Sequence, residues 1–182
     1  MTKKNEQIIA GIDLSLSATG IVLLSPERRI VHSHVIKTKK LRGVERLLYI
    51  KNEVLALLKK YKVSQCAIEG YSFGSNGRAI FNIGELGGVI RVALSEQEVR
   101  FVDIPPSSLK AYIADNGGAD KQMVIDAIKS KYGLTFEDDN EADAYGLAVM
   151  LCDFKDNIGL YTKKGGAKKI REYKKGIIHD KN

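Results

Sequence analysis

The first 36 residues leave little choice of architecture. An apolar run over residues 7–14, a second over 18–25 and an alternating stretch over 29–36 read as three strands. Only Ser15-Leu16-Ser17 separates the first two, and Ser25-Pro26-Glu27-Arg28 turns the second into the third. Neither link approaches the roughly dozen residues that a parallel crossover needs. The three strands must therefore pair antiparallel.

The rest of the chain alternates. Residues 42–61 read as a helix, with Val44, Leu47, Leu48, Lys51, Val54, Leu55 and Leu58 on the helical period. Residues 65–69 form a short apolar strand. Residues 79–98 form a helix in which Gly84, Gly87 and Gly88 permit close packing. A strand over 99–104 stops at Pro105-Pro106. Ser107 or Ser108 then caps a helix running to Ala114, Asp120 caps another over 121–132, and Asp138-Asp139 lead into a last helix over 140–154. A meander followed by strand–helix crossovers predicts an α/β fold: a mixed sheet of three antiparallel strands, then two parallel strands, flanked by helices.

Composition narrows the class. Hydrophobic residues are 44% and charged residues 28% of 182, enough to bury a core. No apolar run approaches the roughly 20 residues of a membrane span, and the first apolar stretch, from Ile8, is broken at Asp13 without a signal-peptide core. Cys66 and Cys152 are too few for a disulfide framework and read as small core residues in a reducing, cytoplasmic setting. His32 and His34 share a strand face but have no third ligand in view.

The net charge of +7 is concentrated at the end of the chain. Residues 161–182 carry eight basic and two acidic side chains, so residues 1–160 read as a nearly neutral folded domain and 161–182 as a basic tail. Lys168, Lys169, Arg171, Lys174 and Lys175 suit a polyanion such as DNA, a solubilising tail being the plainer alternative. Gly165-Gly166 reads as a flexible joint, and Ile170 and Tyr173 as anchors that engage with the tail on DNA.

Three carboxylates stand out by position. Asp13 ends an apolar strand, Glu69 ends another, and Asp143 lies in the first turn of an apolar helix whose core face is Ala142, Ala144, Leu147, Ala148 and Leu151. Surface placement or helix capping would explain any one of them alone. If the two strands are neighbours and the helix crosses them, the three converge, and such a cluster is tolerable only around a cation. Hard oxygen ligands suit Mg²⁺ or Mn²⁺. Two such ions can clamp both oxygens of a phosphodiester displacement.

The stretches Gly11-Ile12-Asp13-Leu14-Ser15-Leu16-Ser17-Ala18-Thr19-Gly20, Ala67-Ile68-Glu69 and Asn140-Glu141-Ala142-Asp143-Ala144 resemble the three acidic motifs of the RuvC-type Holliday junction resolvases, within the RNase H-like superfamily. Asn76, Gly84 and Gly88 sit at the family's spacing after the glutamate, and Lys110 and Lys121 at the spacing of its two DNA-contacting lysines. The resemblance runs from about Ile8 to Asp153 and looks closer to the phage-encoded branch.

It implies a homodimer that nicks four-way DNA junctions symmetrically, leaving 5′-phosphates, with two Mg²⁺ or Mn²⁺ ions per site and neither nucleotide cofactor nor membrane. Asp13 would bridge both ions, Glu69 would hold one and help place the attacking water, and Asp143 would hold the second. Lys110 and Lys121 would contact phosphate and stabilise developing charge.

The sequence departs from the family at two places. Bacterial members carry an acid or His three residues before the last Asp, where this chain has Asn140, a ligand only through its neutral carbonyl. Asp139 is the alternative acid, while Glu141 points elsewhere. The second departure is Ser72, where the family has Phe. Tyr71 or Phe73 would stack on an unpaired base instead, or one of them packs into the core beneath the next helix. Arg78 contacts phosphate or is solvated.

Three rivals follow. A nucleotide-dependent kinase shares the first motif but needs two such domains. A non-catalytic junction-binding module is favoured by Asn140, and a looser fork or flap endonuclease would share the fold. For the dimer contact, the sequence points to Ile80, Ile83 and Leu86 on the helix after Glu69.

Overall fold

The structure, a computed structural model, describes residues 7–71, 78–154, 166–168 and 170, with the side chains of 78–80 left out. Its elements are β1 (Ile9–Asp13), β2 (Ala18–Leu24), β3 (Ile30–Lys37), α1 (Gly43–Lys60), β4 (Gln65–Glu69), α2 (Arg78–Glu96), β5 (Arg100–Ile104), α3 (Pro106–Ala114), α4 (Lys121–Tyr132) and α5 (Asp139–Phe154). The sheet order is β3-β2-β1-β4-β5. The first three strands are antiparallel, and β1, β4 and β5 are parallel. This is the mixed sheet that the link lengths require.

The three-residue link closes because Thr19 is folded back onto it. The Thr19 hydroxyl donates to the Ser15 carbonyl at 2.7 Å and accepts from the Ser15 N–H at 3.2 Å. That satisfies a fully buried hydroxyl and fixes the β1–β2 register, in which Asp13 lies opposite Gly20.

Strand periodicity divides the core in two. Ala10, Ile12, Ile21, Leu23, Cys66 and Ile68 face α1 and α2. Ile9, Val22, Leu24, Ala67 and Ile104 face α3, α4 and α5. The second face also carries Gly11, Asp13 and Glu69, two residues apart along their strands from apolar neighbours. Burial pushes the Cys66 thiol up to about 12, as suits a core residue.

Helix α5 lies flush on that face, and two glycines make this possible. A Cβ on Gly11 would stand 1.9 Å from the Ala144 carbonyl oxygen and 2.6 Å from the Ala148 nitrogen. One on Gly20 would stand 2.1 Å from the Asn140 carbonyl oxygen. The helix backbone thus touches the sheet backbone. With α3 and α4 covering its other side, α5 is buried nearly all round, from Ala144 to Leu151 without a break.

Several expectations need correction. The inward face of α1 is Ile50, Val54 and Leu58 with Leu47 and Leu57 beside them, whereas Val44 (69% exposed) and Leu48 (47%) face outward. Helix α3 begins at Pro106 after Pro105 and has no side-chain cap, so neither Ser107 nor Ser108 fills that role and Ser108 is buried. Gly84 and Gly88 have open space where a Cβ would sit, and only Gly87 is packed against. Asp120 does cap α4, accepting from the Met123 N–H at 2.9 Å.

Part of the basic segment belongs to the core. Residues 166–168 are helical, Ile170 is fully buried in the cluster on the α5 side, and Ala167 packs against that cluster. Ile170 therefore anchors on the domain itself without DNA. Gly166 is a helical, buried residue, not a joint. Among the described residues no helix is long and apolar enough to cross a membrane.

Candidate active site

Parallel pairing places the last residues of β1 and β4 side by side, with Ile12 opposite Ile68, so Asp13 and Glu69 emerge together on the α5 face. The two carboxyl groups lie side by side and act on each other both as like charges and as hydrogen-bonding neighbours. Asp143 reaches the pair from α5. It is one turn into the helix, which starts at Asp139, so it is not a first-turn acid as its position suggested.

The three groups titrate abnormally because they are buried together. Asp13 is 6% exposed. Its carboxyl is pushed well up by burial, then by the charges of Glu69 and Asp143. Glu69 is raised to about 6 by burial and then by Asp143, against the opposing pull of the Asp13 hydrogen bond, Lys110 and Lys121. Asp143 is raised to about 6 by burial and then by Asp139, again against Lys121 and Lys110. Both carboxyls of the pair are thus held above the ordinary carboxylate range, each by burial before anything else.

Two lysines border this acidic centre. Lys110 is half-buried on α3, and Lys121 is the exposed first residue of α4. Lys121 donates to and pairs with Asp139, the first residue of α5, and its ammonium is held above the usual lysine range mainly by that hydrogen bond.

Asn140 is oriented by another partner. Its Nδ2 donates to Asp138 Oδ1 at 2.7 Å, and its backbone N–H donates to the same oxygen at 3.0 Å. Only its Oδ1 remains as an acceptor towards an ion. Glu141, as expected, is directed elsewhere and accepts from Ser33 on β3.

The donor set, one buried and two partly buried carboxyl groups facing one another, suits a hard divalent cation. Among the described residues no three His, Cys, Asp or Glu side chains already stand as a closed cage. His32 stacks on His34 and on Tyr61 at centroid separations of 6.1 and 5.1 Å and has no third ligand.

Tyr71 is docked on α2 and held there by Arg91. Sequence reasoning missed Arg91 and its partner Asp103. Their only advance signal was Gly87, beneath which no contact could be foreseen. Phe73, Asn76, Lys169, Arg171, Lys174 and Lys175 lie outside the described residues, as does the side chain of Arg78. Lys168 is exposed.

A five-stranded mixed sheet with an acidic centre at the ends of its two middle strands, under a crossing helix, is the RNase H-like arrangement. The family profile described as crossover junction endodeoxyribonuclease RuvC matches residues 9–153, and the chain belongs to this family. It is 33% identical to the crossover junction endodeoxyribonuclease RuvC of Thermosipho melanesiensis over 150 residues, 79% of this chain and 94% of that protein. It is 30% identical to that of Brachyspira hyodysenteriae over 146 residues, 78% and 91% of the two chains. Thermus thermophilus RuvC, solved in complex with Holliday junction substrate, superimposes with a TM-score of 0.69 at 25% identity, covering 84% of this chain and 96% of that one.

Proposed function

We propose that this chain is a metal-dependent endodeoxyribonuclease that resolves four-way DNA junctions by paired, symmetrically placed nicks leaving 5′-phosphates. The observation that carries the reading is the meeting of Asp13, Glu69 and Asp143 beside Lys110 and Lys121. Membership of the RuvC family and the likeness to a junction-bound relative support it.

Asp13, Glu69 and Asp143 would hold two divalent ions, Mg²⁺ or Mn²⁺, with Asn140 Oδ1 as a further neutral donor. When bound, such a pair activates water and stabilises the leaving oxygen. Asp13, the most buried of the three, would hold the ions as a carboxylate, its proton passing to solvent. Glu69 orients the attacking water. Lys110 and Lys121 bind the scissile phosphate and offset its growing charge. Their fields already oppose ionic repulsion at Glu69 and Asp143, so they are suitably near. Phe73, Asn76, Arg78 and the basic residues Lys168, Lys169, Arg171, Lys174 and Lys175 would grip the surrounding DNA.

A four-way junction has two-fold symmetry, and paired nicks need two such centres, which a symmetric dimer supplies. Leu86 is buried in this chain's own core and Ile83 packs against it, which corrects that part of the expected contact face, while the side chain of Ile80 lies outside the described residues. The outward stripe of α2 is Phe81 (74% exposed), Gly88 and Val92 (59%), and a second copy would meet it there. Phe81→Glu with Val92→Glu is expected to yield a folded monomer by sedimentation, nicking one strand per junction. A variant that stays dimeric would place the contact elsewhere.

The test of the function is a substrate panel with Mg²⁺ or Mn²⁺. Symmetric nicks in a four-way junction, with forks, flaps and linear duplex left largely intact, are expected. Equal cutting of forks and flaps would mark a broader branched-DNA nuclease. Tight junction binding with no cutting would mark a non-catalytic module.

A further inference from the structure

Immediately after Glu69 the chain is fastened twice. The Gly70 N–H donates to the Ile104 carbonyl at 2.8 Å, prolonging the β4–β5 ladder by one bond. Tyr71 is then laid against α2. Its ring lies under the Arg91 guanidinium at 4.7 Å, and its hydroxyl accepts from Arg91 Nη1 at 3.0 Å. Arg91 in turn donates through Nε and Nη2 to Asp103 Oδ1, at 3.0 and 2.5 Å, so β5 fixes the guanidinium plane. The arginine side chain is only 16% exposed and its charge is matched by Asp103, which leaves it poorly placed to read a phosphate.

A glycine makes room for this arrangement. A Cβ on Gly87 would stand 2.3 Å from the Tyr71 hydroxyl and 2.4 Å from Arg91 Nη1. In a helix interior Ala outperforms Gly by up to about 1 kcal/mol, and here the glycine leaves open the space that the tyrosine and the arginine share.

We propose that Arg91, set by Asp103 and clasped on Tyr71, is a positioning residue for the nuclease centre: it fixes where the chain turns after Glu69, so that this carboxylate stays aligned with Asp13. The inference rests on the nuclease reading above. It also takes Tyr71 out of the role of a base-stacking residue. An error of about 1 Å in such a constellation costs on the order of a hundredfold in rate, so a clasp two residues away is a sensitive place to disturb it.

The experiment compares wild type, Gly87→Ala, Arg91→Ala, Tyr71→Ala and the Arg91→Ala/Tyr71→Ala double variant. Single-turnover cutting, junction affinity and melting temperature are read for each. Gly87→Ala removes no polar group and tends to stabilise the helix, so it remains informative if the truncations fold poorly. The clasp predicts cutting slowed about tenfold or more in each single variant, with junction affinity within about threefold of wild type. The double variant should be no slower than the slower single one, as expected for groups acting as one unit. Unchanged cutting in Gly87→Ala and Arg91→Ala overturns the inference. So does an affinity loss of about tenfold or more confined to Tyr71→Ala, which would return that ring to the DNA. If wild type cuts no branched DNA at all, the nuclease reading fails first and the inference with it.

Discussion

Replacing Asp13 with asparagine is expected to slow junction cutting by about a thousandfold or more, about 4 kcal/mol of barrier, while making the metal-free protein more stable near neutral pH. The two effects have one origin. Asp13 is the most buried member of the cluster and feels the charges of both Glu69 and Asp143. Asparagine keeps the shape but removes the charge with which this position would hold the ions. It also removes the cost of burying an ionisable group there, burial being the main reason that the Asp13 carboxyl is raised on folding. A structural carboxylate would behave in the opposite way, losing stability on neutralisation. Cutting of a labelled junction and thermal melting in EDTA, both on Asp13→Asn, separate the two cases.

Gly11→Ala is expected to destabilise the fold by about 3 kcal/mol or more, out of the roughly 5–15 kcal/mol that a domain of this kind has to lose. The new methyl would collide with backbone, at 1.9 Å from the Ala144 carbonyl oxygen, so no side chain can rotate away to admit it. Relief requires α5 to lift from the sheet, and Asp143 rides on α5. The variant should therefore melt far below wild type and lose divalent-ion binding even where some folded protein survives. A melting temperature within about 2 °C of wild type, where 1 kcal/mol shifts it by roughly 2–4 °C for a protein of this size, would show that the helix does not press on the strand at that point.

Much of the architecture was legible because short links and strand ends are local features. The expected bounds of β4 and α4 match those found to the residue. Asp13 and Glu69 were found because each closes an apolar strand with a charge, a pattern that the core tolerates only at an edge. The phase of α1 was not legible. Val44, Leu48 and Leu55 fit the helical period as well as Ile50 does, and which stripe turns inward is decided by α2 and the sheet. The serine caps of α3 failed because Pro105 and Pro106 already set the helical entry. Gly11 and Gly20 stood inside a recognised motif, yet their purpose depends on a helix more than 100 residues away in sequence. The Arg91–Asp103–Tyr71 clasp joins three separate elements, and single-chain periodicity carries no trace of such a contact.

The most direct measurement is the melting temperature across pH, with and without Mn²⁺. Glu69 and Asp143 are each raised in the folded state to about 6, from ordinary values of 4.5 and 3.8. A carboxyl raised by folding contributes its stability fully at pH below the unfolded value and loses it as pH climbs through the folded one. Each pKa unit is worth about 1.4 kcal/mol, so Glu69 alone implies a loss on the order of 2 kcal/mol between about pH 4 and pH 7, with Asp143 and Asp13 adding to it. The metal-free protein should thus melt progressively lower from pH 5 to 7.5. Mn²⁺ should restore the loss at pH 7.5, do little at pH 5 where protons compete, and do little at either pH in Asp13→Asn. A melting temperature that is flat or rises over this range without metal, and is indifferent to Mn²⁺ at pH 7.5, would contradict a shared cation-requiring centre built from Asp13, Glu69 and Asp143.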